Sequence, residues 1–127
     1  MNAQALKEYQ WKNRVILLFS PSAEQEDYRK QLALFKEHEK EMKERDIALF
    51  HIFESEGKNP KGERLSPEAV QKLRKQYAPN AANLQCLLIG KDGGKKLSEL
   101  GILSIKKLFA TIDAMPMRQV EMHRNKK

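Results

Sequence analysis

The hydrophobic residues of this chain fall into short continuous runs separated by amphipathic stretches. Val15–Phe19 is apolar at every position, which is typical of a central strand covered on both faces. Ile47–Phe53 and Leu84–Ile89 are similar runs of strand length. The Asp-Gly turn within Lys91–Lys95 predicts a hairpin that joins the third run to a short strand around Lys96–Leu97. The pattern therefore predicts four strands.

Between the strands, apolar residues recur at helical spacing and predict three helices. The first begins at Ser22, where an S-x-x-Q pattern matches a capping box, and continues as one long helix to Arg45-Asp46. The pair Ser66-Pro67 predicts the start of the second helix, with the serine as the cap and the proline at the first helical position. Ser104 predicts the cap of the third helix, which Pro116 ends.

The predicted order β-α-β-α-β-β-α is that of a thioredoxin-like α/β fold. We expect a mixed four-stranded sheet with helices on both faces, because a strand–helix–strand unit forms a right-handed parallel crossover and the hairpin is antiparallel. Residues 54–65 are polar and rich in turn residues, so they are predicted to form a solvated loop. The length indicates one domain over residues 1–127, with a core at about 6–117 and a charged tail at 118–127.

Composition narrows the class of protein without naming a function. With 40% hydrophobic and 32% charged residues, the chain is too apolar for a disordered tail and too interrupted by charge for a membrane span. The net charge is +7, and residues 54–127 carry the excess, with 15 Lys and Arg against 8 Asp and Glu. This favours a protein or anionic partner, whereas nucleic acid is not favoured because no recognition motif is present. The oligomeric state stays open.

The single cysteine, Cys86, excludes an intramolecular disulfide and a C-x-x-C redox pair. The predicted topology places Ser20 and Ser22, after the first strand, beside Gln85 and Cys86 in the third strand. Ser20, Ser22 and Gln85 are candidate ligands for an anion at the helix start, although capping explains Ser22 without a ligand. Cys86 is either a buried small hydrophobe, the favoured interpretation, or a lone redox thiol.

Other candidate groups are weaker. Met115, Met117, Met122 and His123 hold soft ligand atoms of the kind that bind Cu(I), but packing accounts for them, and we expect no metal and no cofactor. The stretch Trp11–Arg14 is interpreted as an aromatic lid over the sheet edge with two solvated basic groups, or as a contact surface.

Three stretches of the chain resemble one protein family. They are Tyr9–Arg14 before the first strand, Gly90–Gly94 at the hairpin, and Ile112–Arg118 at the end of the last helix. All three resemble domain of unknown function 4174, a mostly bacterial family whose relatives include peroxiredoxin-like domains of sushi-repeat and equarin-type matrix proteins. The resemblance implies a thioredoxin-like fold with no established activity, often in exported proteins.

The cellular compartment depends on whether a signal peptide has been removed, as the family resemblance implies for exported proteins. Met1–Glu8 shows no signal-peptide pattern, because no long apolar run follows a basic patch. We expect a periplasmic or secreted location if a signal peptide has been removed, and a cytoplasmic location otherwise.

The residues that carry chemistry in such folds are missing here. Of the peroxiredoxin pattern Pro21 is present, but Gln25 takes the place of Thr or Ser, and Tyr28 takes the place of the reactive cysteine. No cysteine pair follows the first strand, and Leu84-Gln85 stands where thioredoxins have a proline. The leading hypothesis is a non-catalytic binding or structural module. A one-cysteine oxidoreductase using Cys86, and a basic domain that binds polyanions or an anionic envelope surface, are the alternatives.

Overall fold

A mixed sheet between two layers of helices forms the fold, and the computed structural model describes residues 4–80 and 82–124. Within these residues, the five strands are β1 (Arg14–Phe19), β2 (Ile47–Ile52), β3 (Gly57–Lys58), β4 (Gln85–Ile89) and β5 (Lys95–Leu100). The six helices are α1 (Gln4–Lys7), α2 (Glu26–Glu37), α3 (Glu39–Glu44), α4 (Pro67–Tyr77), α5 (Ile105–Asp113) and α6 (Pro116–Arg124). None of these helices is long and apolar enough to cross a membrane.

The strands lie in the order β3-β2-β1-β4-β5. β1 is parallel to β2, with Arg14 opposite Ile47. It is antiparallel to β4, so that Phe19 lies opposite Gln85 and Val15 lies opposite Ile89. The parallel crossover, the antiparallel hairpin and the thioredoxin-like α/β class predicted from the sequence are confirmed.

Both faces of the sheet are covered, as the continuous apolar run of β1 predicts. One buried cluster contains side chains of α1, α4 and alternate strand positions, including Leu6, Val15, Leu17, Phe50, Val70 and Leu73. The cluster on the opposite face contains side chains of α2, α3, α5 and the other strand positions, including Ile16, Leu18, Phe35, Met42, Cys86, Leu88 and Leu108. Successive strand residues point to opposite faces, so each strand contributes to both clusters.

The sheet has one strand more than predicted. The loop over residues 54–65 contains β3, whose Gly57 pairs with Ile52 and accepts a hydrogen bond from the Leu65 amide. A two-residue strand has no hydrophobic alternation to recognise. The hairpin strand β5 is also longer than the segment predicted around Lys96–Leu97, because this edge strand is largely exposed and lacks an apolar run.

The first predicted helix begins later than expected and is interrupted. Ser22 does not cap it: Gln25 is the N-cap, and its Oε1 accepts a hydrogen bond from the Tyr28 amide at 2.9 Å. The backbone leaves helical geometry at His38, with φ −118° and ψ 29°, which separates α2 from α3. The predicted caps of the other two helices are confirmed, since Ser66 and Ser104 each accept an amide hydrogen bond at 3.1 Å.

The predicted charged tail is largely a helix. Pro116, expected only to stop a helix, also occupies the first position of α6, where its missing N–H costs nothing. Arg118 in this helix is 3% exposed, so it belongs to the packed domain. Residues 125–127 of the predicted tail lie outside the described residues.

Candidate functional site

Two ends of the sheet are candidates for function, and the antiparallel pairing of β1 with β4 defines them. At one end, β1 finishes beside the start of β4, where Cys86 lies; we call this the thiol end. At the other end, β1 begins at Arg14 beside Asp46, which precedes β2, and Lys91, which follows β4. We call this the ionic end, because seven charged side chains meet there.

The thiol of Cys86 is closed off from solvent at the thiol end. The residue is fully buried among apolar side chains, and its Sγ lies 3.6 Å from Gln31 Oε1 and 3.8 Å from the Gly101 carbonyl. Burial raises the pKa of Cys86 to about 12, against a smaller lowering by the Leu103 amide. Glu99 adds a smaller raising effect. The thiol is therefore a neutral hydrogen-bond donor.

Gln31 is the polar centre of the thiol end, and the sequence pattern did not single it out. Its side chain is completely buried in α2. Its Nε2 donates to the Leu103 carbonyl at 3.0 Å, and its Oε1 accepts from the Leu103 amide at 2.7 Å. The amide of Gln31 thus connects α2 to the segment before α5 and offers its oxygen to Cys86.

Two of the three predicted binding residues at the thiol end, Ser20 and Gln85, have protein partners for their side chains, whereas Ser22 is engaged through its backbone carbonyl. Ser20 is buried, and its Oγ donates to the Ser22 carbonyl at 2.8 Å. The Nε2 of Gln85 donates to Ser98 Oγ in β5 at 3.1 Å. Gln85 and Cys86 are successive strand residues, so their side chains lie on opposite faces of the sheet. The topology brings these segments together as predicted, and anion binding by Ser20, Ser22 and Gln85 stays a prediction.

The ionic end is organised around Arg14, the first residue of β1, which is 1% exposed. Arg14 donates to Glu121 through both terminal nitrogens, with Nη1 to Oε1 at 3.1 Å and Nη2 to Oε2 at 3.2 Å. Lys91 Nζ donates to Glu121 Oε2 at 2.7 Å and to Asp46 Oδ2 at 2.9 Å. Arg14 Nη1 also donates to the Arg45 carbonyl at 3.0 Å. Glu121 of α6 is thereby fixed to the sheet by two buried cations.

A second set of ion pairs continues the network between the helices. Asp113 accepts from Arg45 at 3.0 Å to Oδ1 and 2.9 Å to Oδ2, and from Arg118 Nε at 3.1 Å. Arg118 Nη1 lies 3.7 Å from Glu121 Oε1, which joins the two sets. The Arg45 guanidinium also lies 4.0 Å from the centre of the Phe109 ring, a cation–π distance.

The carboxylates of the network are held in their charged forms. Partial burial acts to raise the pKa of Glu121, but hydrogen bonds from Arg14 and Lys91 outweigh it, and the net pKa is lowered. The same balance lowers the pKa of Asp113, where the hydrogen bonds come from two arginines. At neutral pH both groups are anions.

A cleft of about 640 Å³ opens beside this network. Its charged wall includes Arg14, Lys91 and Lys96, and its apolar wall includes Trp11, Met115 and Met117. Lys96 is paired with Asp92, another wall residue, at 2.9 Å. Trp11 is 62% exposed and Met117 is 40% exposed. The cleft therefore joins a cationic floor to an aromatic and aliphatic rim.

Backbone strain is concentrated at the ionic end. In the described residues, the non-glycine positions with positive φ are Trp11, at 70°, and Asp46, at 55°. The Trp11 amide donates to the Lys91 carbonyl at 2.6 Å, and the Asp46 carbonyl accepts from the Arg14 amide at 3.0 Å. The buried side-chain atoms without a partner among these residues, Tyr9 Oη and Arg14 Nε, lie in the same segment. Strained residues of this kind persist only where the surrounding structure holds them in place.

The interpretation of Trp11–Arg14 as a lid with two solvated basic groups is wrong for Arg14. Lys12 is exposed, but the guanidinium of Arg14 is buried, because Glu121 and the Arg45 carbonyl replace its water. The stretches Tyr9–Arg14, Gly90–Gly94 and Ile112–Arg118, which carried the family resemblance, all meet at the ionic end. In the sequence, this end was therefore indicated by the family resemblance of the three stretches and not by hydrophobic periodicity.

The soft ligand atoms near the C-terminus do not form a cluster of typical metal ligands. Met115 packs against the core, whereas Met117 is exposed at the cleft. No group of three or more His, Cys, Asp or Glu side chains that could hold a metal ion occurs within residues 4–80 and 82–124. The absence of a metal or cofactor stays a prediction.

The family assignment follows from a match over almost the whole chain. The sequence profile of the family described as Domain of unknown function (DUF4174) matches residues 5–121. The chain belongs to this family. All seven residues of the ionic end lie within the matched range of the DUF4174 domain. No curated protein matches the sequence.

Solved structures support the thioredoxin-like fold of this DUF4174 domain. A reduced 2-Cys peroxiredoxin from Plasmodium vivax is similar with a TM-score of 0.63 and 15% identity, over 94% of this chain and 83% of that chain. StoA from Bacillus subtilis is similar with a TM-score of 0.51 and 14% identity, over 78% of this chain and 81% of that chain. At these identities the likeness shows the fold alone.

Proposed function

We propose that this DUF4174 domain is a non-catalytic binding or structural module with a thioredoxin-like fold. The observation that carries the proposal is the state of its sole cysteine. The Cys86 thiol is fully buried, and its pKa is raised to about 12. Because the thiolate is the nucleophile in thiol chemistry, a thiol that stays protonated at neutral pH is unreactive.

The surroundings of Cys86 activate the thiol only weakly, because the Leu103 amide, just before the N-cap of α5, lowers its pKa less than burial raises it. Reactive cysteines lie near a cation, a metal or a helix N-terminus that stabilises the thiolate. Within hydrogen-bonding distance of Cys86 Sγ are the Gln31 amide oxygen and the Gly101 carbonyl, which are both acceptors. These groups favour the protonated thiol, which supports a structural role for Cys86.

The test compares the wild-type domain with Cys86→Ser for hydrogen peroxide consumption and for reduction of oxidised glutathione. We expect both rates to be the same in the two proteins, because no thiolate is available. Rates above those of Cys86→Ser, together with trapping of a sulfenic acid by dimedone, would establish the one-cysteine oxidoreductase instead.

The polyanion hypothesis receives less support than the net charge of +7 indicates. Arg14 and Arg118 are buried, and Lys91 is 9% exposed, and all three are engaged in ion pairs. The charge they carry is balanced locally by carboxylates, so it contributes little to an extended basic surface. We therefore favour a compact ligand or a protein partner over a polyanion.

A further inference from the structure

The cleft at the ionic end has the size and composition of a small-molecule site. Its volume of about 640 Å³ lies within the roughly 300–1,000 Å³ typical of ligand pockets. Such pockets combine apolar walls with a few fixed polar groups, and here the ion pairs of Arg14 and Lys91 fix the polar side. The apolar side is formed by Trp11 together with Met115 and Met117.

The charges around the cleft favour one additional negative charge. The four cations of the network, Arg14, Arg45, Lys91 and Arg118, face the three carboxylates of Asp46, Asp113 and Glu121, and Glu44, 3.8 Å from Arg45, adds a fourth carboxylate at its edge. The remaining charged pair of the cleft, Asp92 with Lys96, is neutral as a pair. The carboxylates of Glu44 and Asp46 are 57% and 47% exposed, so water and salt screen them, whereas Arg14 and Lys91 are at most 9% exposed. The buried cations therefore favour a single anionic group beside them.

Donors for such a group are present on the cleft wall. An ammonium has three protons, and two of those on Lys91 are used by Asp46 and Glu121, which leaves one without an acceptor among the described residues. Arg14, on the same wall, has a buried Nε without a partner in the described part of the chain. Because this Nε has almost no accessible surface, Lys91, which is 9% exposed, is the donor that a ligand in the cleft can reach.

The position of Trp11 fits the apolar part of a ligand. Its backbone has a φ of 70°, its amide donates to the Lys91 carbonyl, and the residue lines the cleft. A bulky residue in this conformation is an outlier that persists only where the surrounding structure holds it. An exposed indole is also a large flat surface on which an aromatic ring can stack.

We infer that this cleft binds a small organic molecule that has a flat apolar body and one negative charge. This inference rests on the proposed function as a binding module and names its ligand class. The anionic group lies against Lys91 and Arg14, and the apolar body lies between Trp11 and the methionines. A polyanion is disfavoured at this site, because Asp46, Asp92 and Glu121 would repel any charge beyond the first.

The first experiment titrates the purified domain with 8-anilinonaphthalene-1-sulfonate, a flat aromatic monoanion. Trp11 is the only tryptophan, so quenching of its fluorescence reports binding at the cleft. We expect saturable quenching with one site per chain. The neutral analogue N-phenyl-1-naphthylamine, which lacks the sulfonate, should bind at least about tenfold more weakly, since it forms no charge-assisted hydrogen bond. Equal affinity of the two dyes, or no quenching, overturns the inference.

A matched pair of variants locates the site. Ala114 is exposed at the end of α5 and lines the cleft, so Ala114→Phe fills part of the volume. Ala33 is exposed in α2 and is not among the cleft residues, so Ala33→Phe adds the same side chain elsewhere. We expect Ala114→Phe to weaken dye binding about tenfold, and Ala33→Phe to bind as the wild type does. Unchanged dye binding by Ala114→Phe, in a variant shown to be folded by circular dichroism, overturns the assignment of the site to this cleft.

The result of the dye titration can be separated from the result of the test of the proposed function. The dye titration involves no thiol chemistry, and the domain can be assayed as the Cys86→Ser variant. A Cys86-dependent peroxidase activity would overturn the non-catalytic role while leaving the cleft intact. Failure of the dye to bind would overturn the inference that the cleft is a ligand site, while the proposal that Cys86 is unreactive would stand.

Discussion

The two ends of the central sheet differ in how they satisfy their buried polar groups. At the thiol end, neutral groups pair within the core: Gln31 bonds to the backbone of Leu103, and Cys86 lies against Gln31. At the ionic end, buried cations meet carboxylates beside an open cleft. The end at which the thioredoxin pattern places its cysteines is closed, and the end formed by the family's own stretches is charged, strained and open.

Stability alone does not account for the ionic end. Removing charges from water costs several kcal/mol per ion, and replacing a buried ion pair by apolar side chains is often neutral or stabilising. The thiol end shows that this fold can close a sheet end with neutral groups. The presence of buried Arg14 and Lys91 with Glu121 at the other end therefore supports the binding role proposed there.

Among changes at the two ends of the sheet, Glu121→Ala is expected to lower the free energy of unfolding most. This change leaves Arg14 and Lys91 buried without their shared carboxylate, and loss of one partner of a buried pair costs about 3 kcal/mol. Urea unfolding at low salt measures the change in the free energy of unfolding. The matched control is Glu39→Ala in α3, an exposed glutamate, which should change it by less than about 0.5 kcal/mol. Equal effects of the two variants would show that the ionic end is a solvated surface.

A smaller effect is expected from acid, and its sign follows from the lowered pKa values of Glu121 and Asp113. The unfolded chain takes up protons on these groups at a higher pH than the folded domain does, so acid favours unfolding. Their contribution is fully present above the ordinary carboxyl pKa of about 4.5 and is lost as the pH falls through the lowered values. Urea midpoints between pH 7 and about 3 measure it. Glu121→Gln should flatten this pH dependence, and an unchanged slope would contradict the assignment.

The smallest effect concerns the start of α2 at the thiol end. Gln25→Ala removes the side-chain oxygen that accepts from the Tyr28 amide, and it should cost about 0.5–1 kcal/mol. Ser22→Ala should change stability by less than about 0.3 kcal/mol, because its Oγ caps nothing in this structure. Paired urea melts of the two variants compare them directly. A larger loss of stability for Ser22→Ala than for Gln25→Ala would show that the helix begins at Ser22.

Four of the five strands and the helices α4 and α5 were predictable because local patterns specify them. The apolar run of Val15–Phe19 and the cap residues Ser66 and Ser104 each act within a few residues of the chain. The interruption at His38 was not predicted, since the helical periodicity continues across it. Ser22 was the wrong cap because Gln25, four residues before Arg29, occupies the position from which the first helical hydrogen bond starts.

The ionic end was not predictable from periodicity, because its contacts are distant in sequence. Arg14 and Glu121 are 107 positions apart, and α6 is held by such pairs more than by an apolar stripe. Arg118 consequently resembled part of a solvated tail. The signals available were a buried-strand run that begins with arginine, a proline suited to the first position of a helix, and three stretches that shared one family resemblance.

The most direct test of the account is the rate at which a thiol reagent labels Cys86 in the native domain. Labelling by 5,5′-dithiobis(2-nitrobenzoic acid) at pH 7, followed by absorbance, is compared with labelling in a denaturing concentration of urea. The account predicts fast labelling of the unfolded chain and native labelling slower by a factor of at least about 1,000, because Cys86 is fully buried and its thiol stays protonated. Native labelling within tenfold of the unfolded rate would contradict it, and would return the thiol end to consideration as the active site.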